Sequence, residues 1–216
     1  MATSYEVNVT TQSQLTTNIS FAVQATKDYL HHQTGPLTSI GGNFVGSSSS
    51  RLLVLCQQSA NNAFVTGWEK LPKPYRSQLS NSTISALSTF PADWPELEIL
   101  PIGATLVPTA NTGNQAIFSV AVVAPTSRGN VTINSTDTND NPLVSPNWLL
   151  TQADQELAIQ GLKRMRQVAS ASGITVGPEL LPGPAVQTEA ELLAFARGSV
   201  SAIHHACASC ELTLCI

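Results

Sequence analysis

Between Ser13 and His32 the apolar residues Leu15, Ile19, Ala22, Val23, Tyr29 and Leu30 recur at the spacing of one helical face, and Gly35-Pro36 ends the pattern. The spacing predicts a single helix there. Farther on, Glu98 to Val107 and Gln115 to Ala124 read as strands, with Thr112-Gly113-Asn114 as the turn that would pair them antiparallel. The alternation Asn130-Val131-Thr132-Ile133-Asn134 predicts a third strand, and the polar, proline-bearing tract from Ser135 to Pro146 reads as a loop.

Two more helices announce their starts. Thr151-Gln152-Ala153-Asp154 has the form of a capping box, followed by the apolar stripe Leu157, Leu162, Met165 and Val168 and by Gly173 as a stop. Thr188-Glu189-Ala190-Glu191 opens a second, with Leu192, Phe195, Ser199 and Ile203 on one face. That helix is expected to deliver His204-His205 at its C-terminal end, after a linker containing Pro178, Pro182 and Pro184. Strands and helices segregate along the chain instead of alternating, which predicts an α+β domain: an antiparallel sheet backed by helices.

A chain of 216 residues can bury one full core. Charged residues make up only 11%, so Ser, Thr, Asn and Gln must cover much of its surface. Its 10 basic residues are scattered and the net charge is −4, leaving no stripe that would bind nucleic acid. The longest apolar runs, Leu52 to Cys56 and Ile117 to Ala124, are too short to span a bilayer. The first residues, Met1 to Glu6, do not resemble a secretory signal, although sequons at Asn8, Asn18, Asn81, Asn130 and Asn134 would suit a secreted parent.

Reactive side chains cluster in one place, His204-His205-Ala206-Cys207-Ala208-Ser209-Cys210. Zinc would find suitable ligand types there, but adjacent histidines seldom reach one ion and a second ligand pair is missing, so no metal site is assigned. A redox role for the C-x-x-C lacks its usual βαβ setting. General acid–base chemistry needs one imidazole held at the end of a rigid element, and the cluster offers that; an ordinary helix-capping histidine is the bland alternative, illustrated by His31-His32. No G-x-S-x-G elbow supports a hydrolase and no G-x-G-x-x-G follows a strand. Asp137, Asp140 and Asp154 read as turn and cap residues.

Several of these segments together resemble the fungal glucose-methanol-choline (GMC) oxidoreductases. Asp28-Tyr29-Leu30-His31-His32-Gln33-Thr34-Gly35-Pro36-Leu37-Thr38 and Trp68-Glu69-Lys70-Leu71-Pro72 are similar to the start of the family's substrate-binding domain. Ser127 to Ile133, continued by Asn141 to Leu149, resembles its C-terminal signature, and Ser201 to Cys210 its active-site segment. The likeness covers residues 5–210, is interrupted by a stretch at 47–65 that reads as an insertion resembling translated intron, and ends before the unrelated tail 211–216.

The resemblance implies that His205, not His204, is the catalytic base, that FAD is the cofactor, and that a small alcohol or fungal secondary metabolite is the substrate. It also implies an open face that packs on an FAD-binding, Rossmann-like domain absent from this sequence, as in a truncated product inactive alone. A non-redox cyclase branch of the same fold and a non-catalytic remnant are the alternatives.

Overall fold

The computed structural model describes residues 1–38, 45–47, 66–104 and 113–203. In chain order they form β1 (Ala2–Val7), α1 (Gln14–Thr17), α2 (Ile19–His32), β2 (Val45–Ser47), β3 (Thr66–Glu69), α3 (Lys73–Arg76) and α4 (Asn81–Leu87). Then come β4 (Leu97–Ile102), β5 (Gln115–Val122), β6 (Asn130–Thr132), β7 (Leu143–Ser145), α5 (Gln152–Ser172), β8 (Thr175–Leu181) and α6 (Glu189–Ser199). A six-stranded sheet runs in the order β2-β3-β4-β5-β1-β8, antiparallel except where β2 meets β3. The α+β class expected from the sequence is what the chain adopts.

The hairpin partners β4 and β5 pair from Leu97↔Val122 to Ile102↔Ile117. Side chains alternate across a strand, so this register gathers Leu97, Ile99, Phe118 and Val120 on one side, where all are buried. Helix α5 closes over that side with Leu157, Met165 and Val168. Gly161 permits the approach: a Cβ there would lie 3.3 Å from Val120 Cγ2 and 3.5 Å from Leu97 Cδ2. A second, smaller cluster joins the far side of α5 to α6 through Ala158, Ile159, Leu162, Leu192 and Ala196.

Polar ties flank the apolar contact. Arg164 Nε donates to Glu69 Oε1 at 2.9 Å, reaching β3, and Arg166 donates to Glu179 Oε2 at 2.7 Å, reaching β8. Tyr5 on β1 donates to the same Glu179 at 3.1 Å and packs edge-on against Phe118. Burial first, then the Glu179 carboxylate, holds the Tyr5 phenol well above its ordinary pKa.

Several expectations need correction. The helix anticipated from Ser13 to His32 is two helices, because Asn18 is extended (φ −131°, ψ 101°) and its side chain caps α2 by accepting from the Phe21 amide. Its apolar stripe is not core: Ile19 is 84% exposed and Leu30 64%. The first part of the proline-bearing linker belongs to strand β8, where Gly177 and Pro178 sit on the sheet edge that tolerates them; Pro182 and Pro184 follow the strand. The third expected strand, β6, does not join the sheet but pairs with β7, inside the tract read as loop, as a separate two-stranded ribbon. Of the turn assigned to residues 112–114, Gly113 and Asn114 are described and Thr112 is not, while the insertion at 47–65 lies outside the described residues except for Ser47.

Leu157 is fully buried between α5 and the sheet. Leu157→Ala is expected to cost about 3 kcal/mol through lost burial and a residual cavity, measured as the drop in unfolding free energy in urea.

Candidate functional site

The expected catalytic residue, His205, lies outside the described residues, together with His204, Cys207, Cys210 and the tail 211–216. What is described is the element that leads to it. Helix α6 begins with a complete capping box, in which Thr188 Oγ1 accepts from the Glu191 amide and the Glu191 carboxylate accepts from the Thr188 amide at 2.8 Å. The Thr188 and Gln187 amides, both donating to the Glu191 carboxylate, hold it below its usual pKa range. Leu192 and Ala196 then press the helix onto α5.

The helix does not reach the histidines. It stops at Ser199; Val200 turns extended (φ −65°, ψ 135°) while its amide still donates to Ala196, and residues 201–203 are irregular. Gly198, Ser199 and the β-branched Val200 are poor residues with which to continue a helix, whereas Val200 packs on the α5–α6 cluster. Helix α6 therefore ends before the position at which the periodicity would have it deliver His204-His205. The Ser199 hydroxyl is buried without a hydrogen-bond partner among the described residues.

A second accessible surface lies on the sheet, on the side away from α5 and α6. Opposite the α5-covered side, the same registers align Trp68, Glu98, Leu100, Ser119 and Ala121, all of them partly accessible. One side is thus a sealed core, while the other is partly open at these five residues, which present aromatic, aliphatic, hydroxyl and carboxylate groups, and buried beside them at Ile117, Ser4 and Ala2.

Asp137 and Asp140 are turn residues as expected: the Asp137 carboxylate accepts from the Asn139 amide at 2.9 Å, and the Asp140 carboxylate from Ser135 Oγ at 2.5 Å. Asp154 departs from the capping-box expectation. Thr151 does cap α5, but the Asp154 carboxylate turns away, accepting from the Thr126 and Ser127 amides at 2.7 and 2.9 Å, so it anchors the loop before the ribbon. A carboxylate that serves a distant loop leaves no periodic mark in sequence. His31 and His32 close α2 at the surface, 6.3 Å apart.

A dinucleotide needs helix N-terminal amides free to meet its phosphates. In each of the three longest described helices one first-turn amide is bonded to the helix's own cap, Asn18 for α2, Thr151 for α5 and Thr188 for α6, and none of these helices opens on the glycine-rich turn that cradles a dinucleotide phosphate. The described residues therefore lack the cradle that the phosphates of FAD would use, and among them no three acidic, histidine or cysteine side chains group to hold a metal.

Comparison with known proteins agrees with this architecture. The C-terminal domain model of the GMC oxidoreductases matches residues 125–213. The dehydrogenase pkfF of Emericella nidulans is 38% identical over 96% of this chain, and versicolorin B synthase of Aspergillus parasiticus is 30% identical over 95% of it. Formate oxidase of Aspergillus oryzae shares the fold at a TM-score of 0.64, with 14% identity, 90% of this chain and 33% of its own covered. The chain belongs to the GMC oxidoreductase family, in its C-terminal, substrate-binding portion. It spans about a third of the length of these relatives, 31% of pkfF and 29% of the synthase.

Thr188→Ala removes the capping box and is expected to lower stability by about 1 kcal/mol in urea unfolding, with the loss of helical signal that fraying of α6 produces.

Proposed function

We propose that this chain is the substrate-facing portion of an FAD-dependent alcohol oxidoreductase acting on a small alcohol or a fungal secondary metabolite. The observation that carries the reading is the asymmetry of the sheet. Helix α5 seals one side, while Trp68, Glu98, Leu100, Ser119 and Ala121 leave the other partly open, as a wall meant to be roofed by another domain would be. Membership of a family of oxidoreductases supports the redox assignment.

In this reading the flavin supplies the hydride acceptor and carries the redox chemistry. The chain's own part is to present a wall to the substrate and to provide His205, whose imidazole takes the hydroxyl proton. An imidazole suits that step because its ordinary pKa lies near neutrality. With FAD assigned to another part of the parent protein, the isolated chain is expected to be inactive.

A second reading, cyclisation without net redox change, is favoured by the 30% identity to versicolorin B synthase. His205 as a base serves either reaction. The two part on electron flow: turnover of the full-length parent that requires an artificial electron acceptor supports oxidation, and product formed without any acceptor supports cyclisation.

FAD added to the purified chain is expected to elute entirely as free cofactor on gel filtration; a stoichiometric flavin absorbance band travelling with the protein would overturn the assignment of FAD to a separate domain. In the full-length parent, His205→Ala is expected to lower kcat by about 10²–10⁴-fold, while His204→Ala keeps near wild-type turnover. A reversed ranking of the two variants would move the base to His204.

A further inference from the structure

Carboxylates that leave full contact with water in this fold are given hydrogen-bond donors. Asp28 accepts from Gln24, Glu69 from Arg164, Glu96 from Arg76, Asp154 from the Thr126 and Ser127 amides, Glu156 from the Ser80 amide, and Glu179 from Arg166 and Tyr5. Only one other described acidic side chain is less than fully exposed, that of Glu98 on β4. It is half-buried, and among the described residues no hydrogen bond or ion pair engages its carboxylate. A partly desolvated acceptor without a donor is costly, and glutamate is disfavoured in strands. Charges on edge strands guard against unwanted pairing, but β4 is flanked by β3 and β5, so that role does not apply.

The strand register names its neighbours on the accessible side of the sheet. Trp68 stands opposite Glu98 on β3, and Ala121 stands opposite it on β5. Ser119, paired with Leu100, shares that side and lies diagonally across from Glu98, a separation of about 7–8 Å that a long side chain can bridge. Ser119 is half-buried as well, and its hydroxyl has no hydrogen-bond partner among the described residues. An acceptor without a donor therefore sits beside an unengaged hydroxyl, with an indole at the flank. One kind of group satisfies both. A hydroxyl donates its proton to the carboxylate and offers a lone pair to the Ser119 proton. An ammonium has no lone pair for that proton, and a methyl group leaves both polar groups unpaired.

We propose that Glu98 and Ser119 are specificity-determining residues that hold a second hydroxyl of the alcohol substrate, distinct from the one that is oxidised, an inference that rests on the function proposed above. The substrate class narrows to alcohols that carry a further hydroxyl on a carbon skeleton able to lie against Trp68 and Ala121. Sites that pair a polar group with a substrate hydroxyl reject the analogue lacking it more strongly than apolar sites reject an extra methylene, because the polar group is then left unpaired.

The test uses the full-length, FAD-loaded parent and two matched series: the para-hydroxymethyl, para-ethyl and para-aminomethyl derivatives of benzyl alcohol, and the terminal hexanediol, heptanol and aminohexanol. In at least one series the hydroxyl-bearing member is expected to exceed the methyl-bearing one in kcat/KM by about tenfold or more. Glu98→Leu is expected to bring that ratio close to unity, chiefly by raising KM for the hydroxyl-bearing member. Glu98→Gln, which keeps the shape but not the charge, lowers it several-fold, and serves alone if the leucine variant does not load flavin. Glu6→Gln, which removes an exposed carboxylate on β1, leaves the ratio unchanged. Equal kcat/KM for the two members in wild type, or a preference that survives both Glu98 variants, would overturn the assignment while leaving the proposed function standing. A preference for the ammonium-bearing members would overturn it in favour of a cationic substrate, and oxidation of other alcohols but of neither hydroxyl-bearing member would overturn it too. Failure of the functional reading shows separately, as a parent whose flavin no alcohol reduces and whose His205→Ala variant behaves as wild type.

Discussion

The structure depends on how closely α5 lies on the sheet. Leu157, Met165 and Val168 bury against Leu97, Ile99, Phe118 and Val120, and Gly161 removes the one side chain that would hold the two layers apart. Apolar burial is strong but non-directional, so by itself it would let the helix slide or rotate. The ion pairs at its margins remove that freedom. Arg164 is tied to Glu69 on one flank and Arg166 to Glu179 on the other, with side-chain exposures of 13%/7% and 20%/8%. Such largely desolvated pairs add little net stability over apolar substitutes, yet a misregistered helix would strand four charges in a poorly solvated layer. Their contribution is to the uniqueness of the arrangement.

The same helix links the core to the periphery. Through Asp154 it orders Thr126 and Ser127, through Glu156 it accepts from the Ser80 amide at 2.8 Å at the start of α4, and through Lys163 it reaches Glu189 at 2.7 Å on α6. Desolvation raises the Glu156 pKa, but the Ser80 and neighbouring donors outweigh it and leave the carboxyl below its usual value. One element therefore sets where the ribbon leaves the domain and where α6 ends, although neither belongs to the main core.

What could be read from sequence follows from this hierarchy. Helix α5, strands β4 and β5 and the start of α6 were legible because burial on one side imposes a period and because caps use a small set of residues. Strand β1 was not, since both its sides are buried, Thr3, Tyr5 and Val7 on one and Ala2 and Ser4 on the other, so small and hydroxyl residues interrupt any apolar alternation. Strand β8 hid behind Gly177 and Pro178. The break at Asn18 was obscured by apolar residues that do keep helical spacing, although for a surface exposed in this chain rather than for its core. Ribbon residues Val131 and Val144 misled in the same manner: their alternation is real, but it marks a face without a partner in the described fold. Apolar periodicity records that a surface is covered without saying by which part of a protein.

That distinction bears on the candidate site as well. A histidine at a helix terminus would inherit the orientation and rigidity of the helix, and the residues from Leu192 to Ile203 suggested that inheritance for His205. Helix α6 ends at Ser199, and Val200, although packed on the α5–α6 cluster, directs the backbone away from the helix axis. Proton transfer requires heavy atoms within about 3 Å of one another, a tolerance that irregular backbone does not hold unaided. On the proposed reading, the order required of the base comes from contacts beyond α6, whose own anchors, Leu192 and Ala196, hold it to α5 and not to the accessible sheet face. A covering partner would then do more than enclose the substrate: the packing that excludes water would also have to fix the base that acts on it.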